Sequence, residues 1–188
     1  MKLSSILAVA MSFAVPQLTA AVVLPNADTP LFHLVASSSS STNLLAVRLQ
    51  SGTGYPGGEA TLLGGGQPAK FYFRQGQLVV HYPGIDPRLG PSYLRPYVNS
   101  IQDGAGCPNF GSFGFVQSVS SNKCTKYSTF QILSNDENSQ LGSELVFNYK
   151  GGFYSCSGGQ QIYYKDTPSR PPNNCERVRL WTVAASSA

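Results

Sequence analysis

Apolar and polar residues alternate in short runs along most of this chain, and the runs are broken by glycine, proline and serine. The clearest alternation is Arg177-Val178-Arg179-Leu180-Trp181-Thr182-Val183, a period of two that sends successive side chains to opposite faces of a strand. Lys70 to Arg74 and Gln77 to Tyr82 are aromatic and β-branched runs on either side of Gln75-Gly76, which predicts a hairpin with Gly76 in its turn. From Glu144 to Asp166, three aromatic-rich runs separated by glycine pairs predict a three-stranded antiparallel meander. Further strands are predicted at Leu31 to Val35, Leu44 to Leu49, Glu59 to Leu63, Phe113 to Val119 and Phe130 to Leu133. Prolines at 83, 87, 91 and 96 reduce Tyr93 to Val98 to an edge strand, because proline cannot donate to a ladder.

Nowhere do apolar residues recur at helical spacing over three turns, so the predicted class is all-β. Phe32-x-Leu34-Val35, a Ser/Asn-rich loop and Leu44 to Leu49 echo Phe130-x-Ile132-Leu133, a Ser/Asn-rich loop and Glu144 to Tyr149. Gly65-Gly66-Gln67 before Phe71-Tyr72-Phe73 likewise echoes Gly158-Gly159-Gln160 before Ile162-Tyr163-Tyr164, while the middle third matches less well. Repeated β-units and roughly a dozen short strands predict a β-trefoil-like fold, with a two-sheet antiparallel sandwich as the alternative.

The first residues change the picture of where such a domain works. Met1-Lys2, the apolar run Ile6 to Val15 and Leu18-Thr19-Ala20-Ala21 have the basic start, short greasy segment and small-residue end of a secretory signal peptide, residues 1–21. No later run approaches the ~20 apolar residues of a membrane span. The expected mature chain is one all-β domain, residues 22–188, with an extended lead-in over 22–30 that Pro25 and Pro30 keep from being helical. The small residues of Ala184 to Ala188 lack the hydrophobic tail of a lipid-anchor signal, so none is expected.

In an exported chain, Cys107, Cys124, Cys156 and Cys175 are expected as disulfides rather than thiols or zinc ligands. Of the three connectivities, Cys107 with Cys124 and Cys156 with Cys175 is favoured, each worth roughly 3 kcal/mol through loop entropy. The second would pin the Pro-rich loop Thr167 to Asn174 back to the sheet. Without Lys2 the 13 basic residues become 12 against 9 acidic, a net +3, and they are scattered. No stripe exists to track a phosphate backbone, which argues against nucleic acid.

Candidate chemistry is sparse. His33 and His81 both fall in strand patterns and read as partly buried or rim imidazoles, and no nucleophile-elbow, metalloprotease or Cys-x-x-Cys motif occurs, so neither metal nor cofactor is expected. Asp136 and Glu137 read as a solvated turn; a small glycoside hydrolase would need two of Glu144, Asp166 and Glu176 to converge. Tyrosines are more suggestive, since a phenol offers an apolar face to a sugar ring and a hydroxyl to its edge. Tyr72, Tyr82, Tyr149 and Tyr164 are the candidate ligand-binding residues, whereas Phe113, Phe115, Phe147 and Trp181 read as core. Tyr163 and Tyr164 must face opposite sides, so at least one is core.

The run Phe71 to Val79, then Phe130-x-Ile132, Leu145-Val146-Phe147, Phe153-Tyr154-Ser155-Cys156, Ile162-Tyr163, Asn174-Cys175 and Val178 resembles small secreted fungal proteins of the phialide cell-wall protein family. The resemblance covers roughly Phe71 to Val183; the Gly-Pro-rich middle and the position of Cys107 and Cys124 depart from it. It implies an extracellular, cell-wall-associated protein without catalysis, and it carries the Cys156–Cys175 pairing over directly. The expected function is therefore non-enzymatic, with cell-wall polysaccharide as partner. The alternative is a protease inhibitor presenting Asp86 to Pro96 or Thr167 to Asn174 as a rigid loop.

Overall fold

A computed structural model describes residues 22–39, 43–50, 57–64, 66–84, 93–100, 106–117, 121–127, 130–134, 141–148, 150–167 and 170–185. The expected signal peptide, Tyr149, Asp136, Glu137 and residues 85–92 of the proline-rich segment lie outside these. The described residues form fourteen strands: β1 (Phe32–Ser38), β2 (Leu45–Ala46), β3 (Arg48–Leu49), β4 (Gly57–Thr61), β5 (Phe71–Arg74), β6 (Gln77–His81), β7 (Tyr93–Asn99), β8 (Phe110–Val116), β9 (Thr125–Lys126), β10 (Phe130–Leu133), β11 (Glu144–Phe147), β12 (Gly152–Cys156), β13 (Gln161–Lys165) and β14 (Cys175–Ala184). A 3-10 turn at Ser157–Gly159 is the one helical element among the described residues. The all-β class is as predicted.

Hydrogen-bonded ladders form a closed antiparallel circuit of eight strands, β14-β12-β13-β8-β7-β6-β5-β1 and back to β14. Inside this circuit a shorter one is visible. β1 meets β5 at Phe32 and Phe71, β5 pairs with β6, β6 packs against β10, β10 pairs with β11, and β11 and β1 both pair with β14. Three hairpins, β3–β4, β7–β8 and β12–β13, stand outside this inner barrel and contact one another through β4–β8, β8–β13 and β13 against β4. A barrel built of strand pairs and capped by three hairpins is the trefoil-like plan.

The repeat that underlies this plan is out of phase with the echo visible in the sequence. β1, β6 and β11 are alternate members of the inner circuit, and each carries a Leu-Val pair: Leu34-Val35, Leu78-Val79 and Leu145-Val146. All three leucines are buried in the central core. Around them Phe113 forms an aromatic hub, with ring centroids 5.0 Å from Phe115, 5.4 Å from Phe130 and 5.3 Å from Phe153. Burying one such ring stabilises the fold by roughly 1.5–3 kcal/mol, so this cluster joins strands from different repeats with substantial energy.

The β5–β6 hairpin forms as predicted. Arg74 pairs with Gln77, leaving a two-residue loop in which Gln75 (φ 50°) and Gly76 (φ 71°) are both left-handed, the requirement of a primed turn. The predicted meander does not form: β11 and β12 are not neighbours, because β14 lies between them. Being ten residues long, β14 offers Leu180 and Trp181 to β11 and its first half, Cys175 to Val178, to β12. Tyr93–Asn99 is likewise no edge strand. β7 pairs with β8 along 95–99 and, on its other side, with β6 at 93–94 and β9 at 98–99. Pro96 falls in the gap between β6 and β9, where that ladder requires no amide donor.

Both disulfides have the favoured connectivity, Cys107–Cys124 and Cys156–Cys175, with Cα atoms 5.2 and 4.0 Å apart. Cys156 and Cys175 are directly opposed on β12 and β14, so the bridge closes the loop that contains β13. The lead-in is more than an extended arm. Asp28 N–H donates to Phe73 O (2.8 Å), Thr29 Oγ1 accepts from Phe73 N–H (2.9 Å), and Asp28 Oδ2 accepts from Gly76 N–H (2.7 Å). These bonds strap residues 22–29 over the outside of β5 and β6.

Candidate functional site

Three of the four tyrosines singled out from sequence lie among the described residues, and of these one is exposed. Tyr82, 37% exposed, follows β6. Tyr72 does point outward from β5, but the strap covers it: Tyr72 sits at 4% exposure in a cluster with Leu31, Val79 and Ala185, against which Val22, Leu24 and Ala27 pack. Burial raises its pKa, more than the neighbouring Arg74 lowers it.

Tyr164 is core, at 1% exposure. Its hydroxyl lies 2.6 Å from Phe147 O and 2.9 Å from Asn148 Oδ1, sharing its one proton between two acceptors. Burial first, and the negative charge of Asp166 second, push its pKa up to about 12. The face assignment was available in the sequence. Gln161 and Lys165 are polar and Ile162 is not, so alternation sends Tyr164 inward with Ile162 and Tyr163 outward with the polar pair.

Tyr82 stands at a cleft of about 470 Å3. Gln50 at the end of β3, Gln67 and Pro68 before β5, Lys70, and His81 at the end of β6 line it beside the phenol. The His81 backbone N–H donates to Lys70 O (2.8 Å), which fixes these two side chains beside one another. Burial and then the Lys70 charge hold the His81 imidazole below its ordinary pKa, so it is neutral near pH 7 and presents one donor and one acceptor. Arg48 donates to Gly66 O, tying the rim together. His33 does not contribute; it is half-buried with Nδ1 2.9 Å from Ala69 O, and because a carbonyl only accepts, Nδ1 carries the proton.

A second constellation sits on the outward side of the hairpin layer. β8 has β7 on one side, and β4 and β13 end to end on the other. Gly114 of β8 therefore opposes Tyr97 on one side and Glu59 on the other, while Ser112 opposes Tyr163. A Cβ at Gly114 would fall 2.6 Å from the Tyr97 hydroxyl and 2.7 Å from Gly58 O, so only glycine lets that phenol lie across the strand. Gln161 Nε2 donates to Glu59 Oε2 (3.1 Å) and Gln161 Oε1 accepts from the Tyr163 hydroxyl (3.3 Å). The Tyr163 ring stacks on Phe110 with centroids 4.6 Å apart and planes 11° from parallel. Burial and then the charge of Glu59 raise the pKa of both Tyr97 and Tyr163.

The three acids considered for hydrolysis have separate surroundings. Glu144 faces Arg179 (3.5 Å), Asp166 accepts from Lys126 (2.8 Å), and Glu176 is exposed on β14 opposite Ser155. No group of three metal-ligating side chains occurs among the described residues. Comparison with models of known families, with curated proteins and with solved structures gives no match.

Proposed function

We propose that this is a secreted, wall-associated protein that binds polysaccharide at the Tyr82 cleft and carries out no reaction there. The observation that carries the proposal is the exposed phenol of Tyr82 beside a cavity whose walls hold two carboxamides, Gln50 and Gln67, and a neutral imidazole. Amides and imidazole supply paired donors and acceptors of the kind that adjacent sugar hydroxyls require, and the ring supplies an apolar face. Two disulfides and an N-terminal segment with the signature of a leader support export. The resemblance to phialide cell-wall proteins agrees with a place in a fungal wall. Retention on insoluble chitin, β-glucan and mannan tests the reading. Wild type should be retained by at least one, and Tyr82→Ala should weaken that retention about tenfold, the loss of one well-placed aromatic contact. Retention on none of the three removes the proposal.

One observation favours a protease inhibitor as a second reading. Arg170 is exposed in the loop closed by Cys156–Cys175, and Lys165 Nζ donates to its carbonyl (3.4 Å). Inhibition of trypsin that is lost in Arg170→Ala would support it; trypsin activity unchanged by excess protein would dismiss it.

A further inference from the structure

We propose that the outward face of the hairpin layer, built by Glu59, Gln161, Tyr97 and Tyr163, is a second saccharide subsite for a neutral pyranose. The proposal rests on the polysaccharide reading for its ligand class but on different residues for its site.

The argument begins with the backbone. Gly114 has no side chain, and Tyr97 and Glu59 oppose it on the strands at its two sides. The phenol of Tyr97 lies across the glycine, held by the close fit already described. Two residues along β8, Ser112 is flanked by Tyr163, whose ring is fixed by stacking on Phe110. Two half-buried aromatic rings thus stand in place at little further cost in side-chain entropy when a ligand arrives.

The polar groups are also positioned in advance. A carboxylate accepts up to about four hydrogen bonds, and Gln161 takes one from Glu59 at 3.1 Å. The Gln161 carbonyl is oriented by the Tyr163 hydroxyl at 3.3 Å, so amide and carboxylate form one braced unit. A carboxylate held this way suits two neighbouring sugar hydroxyls, each donating to one oxygen, while the C–H face of the ring lies against a phenol. The charge of Glu59 disfavours anionic ligands such as phosphate or uronate, which narrows the class to neutral sugars.

The subsite and the cleft are neighbours. Gln50, which lines the cleft, donates its backbone N–H to Glu59 O at 2.9 Å, and Gly57 of the same β4 strand lines the cleft as well. A polymer chain crossing β4 would occupy both. Linking two weak contacts in this way raises the apparent affinity for a long chain without any new contact.

Titration of the full mature chain with chitohexaose, laminarihexaose and mannohexaose, each beside its disaccharide, tests the inference. For the hexasaccharide that binds, the ring resonances of Tyr97 and Tyr163 should shift together with those of Tyr82. Glu59→Ala and Tyr163→Ala should weaken hexasaccharide binding about tenfold, the loss of one charge-assisted hydrogen bond or one aromatic contact. Tyr163→Phe, which keeps the ring, should stay within about threefold. If Tyr82 responds while Tyr97 and Tyr163 do not shift, the second subsite is overturned and the cleft stands. If none of the six sugars binds, both readings fall together.

Discussion

Replacing Tyr164 by phenylalanine and, separately, Tyr163 by phenylalanine puts the inside-outside assignment of β13 to a quantitative test. The two residues are adjacent and the change is the same single oxygen, so propensity and chain entropy cancel in the comparison. At position 164 the ring would keep its contacts with Phe147 and Phe153, centroids 4.7 and 5.4 Å away. What disappears is the donor to Phe147 O and Asn148 Oδ1, in a site that is 1% exposed. A buried acceptor left unsatisfied costs about 1–3 kcal/mol. At position 163 the hydroxyl is half-exposed and its bond is long, 3.3 Å, so water replaces it and the cost should stay within about 0.5 kcal/mol. For a chain of this size 1 kcal/mol corresponds to about 2–4 °C in Tm, so Tyr164→Phe should melt several degrees below wild type and Tyr163→Phe within a degree or two. Urea denaturation followed by tryptophan fluorescence, with m-values compared, gives the free energies directly. An equal loss in the two variants, or a larger one for Tyr163→Phe, would refute the assignment of faces.

Two further outcomes follow from the same structure. Because the folded-state pKa of Tyr164 is raised to about 12 from an ordinary value near 10, the fold holds its phenol neutral; that stabilisation is fully present below pH 10 and is lost as pH rises towards 12. Stability measured by urea titration should therefore fall over this window, and should fall less steeply in Tyr164→Phe. Replacing Cys156 and Cys175 together by serine should lower stability by roughly 3 kcal/mol, since the bridge closes a loop with a sequence separation of 19 and cross-links β12 to β14. The serine pair melting within a degree of wild type would contradict that role for the bridge.

Local patterns carried the local facts. Period-two alternation gives the strands, Gln75-Gly76 gives the hairpin turn, and the even cysteine count gives the bridges, because each depends on residues close together in sequence. The errors arise where distant segments decide. Glu144 to Asp166 reads as a meander when taken alone, and only the arrival of β14 between β11 and β12 separates its strands. Tyr72 has the outward orientation that alternation assigns, and its burial depends on a strap that starts at residue 22. Tyr164 is a different matter: the signal, polar Gln161 and Lys165 against apolar Ile162, was present and points to Tyr163. Glu59 and Tyr97 were not legible as a pair, since their meeting requires β4 and β7 to flank the same glycine. The three-fold plan was anticipated from an echo in the wrong register, while the Leu-Val pairs of β1, β6 and β11 state it in phase.

The pairing of β1 with β14 has a bearing on timing. A ribosome delivers Phe32–Ser38 early and their partners, Val178 to Ala184, only after most of the chain has been made. Until then the leading strand has no mate along that side, and ring closure must bridge a very long contour, which slows it. Cys175 begins that same late strand, so its oxidation with Cys156 of β12 also waits for the tail. A polypeptide arranged this way stays open while its tail is still being made and locks only once β14 is in place.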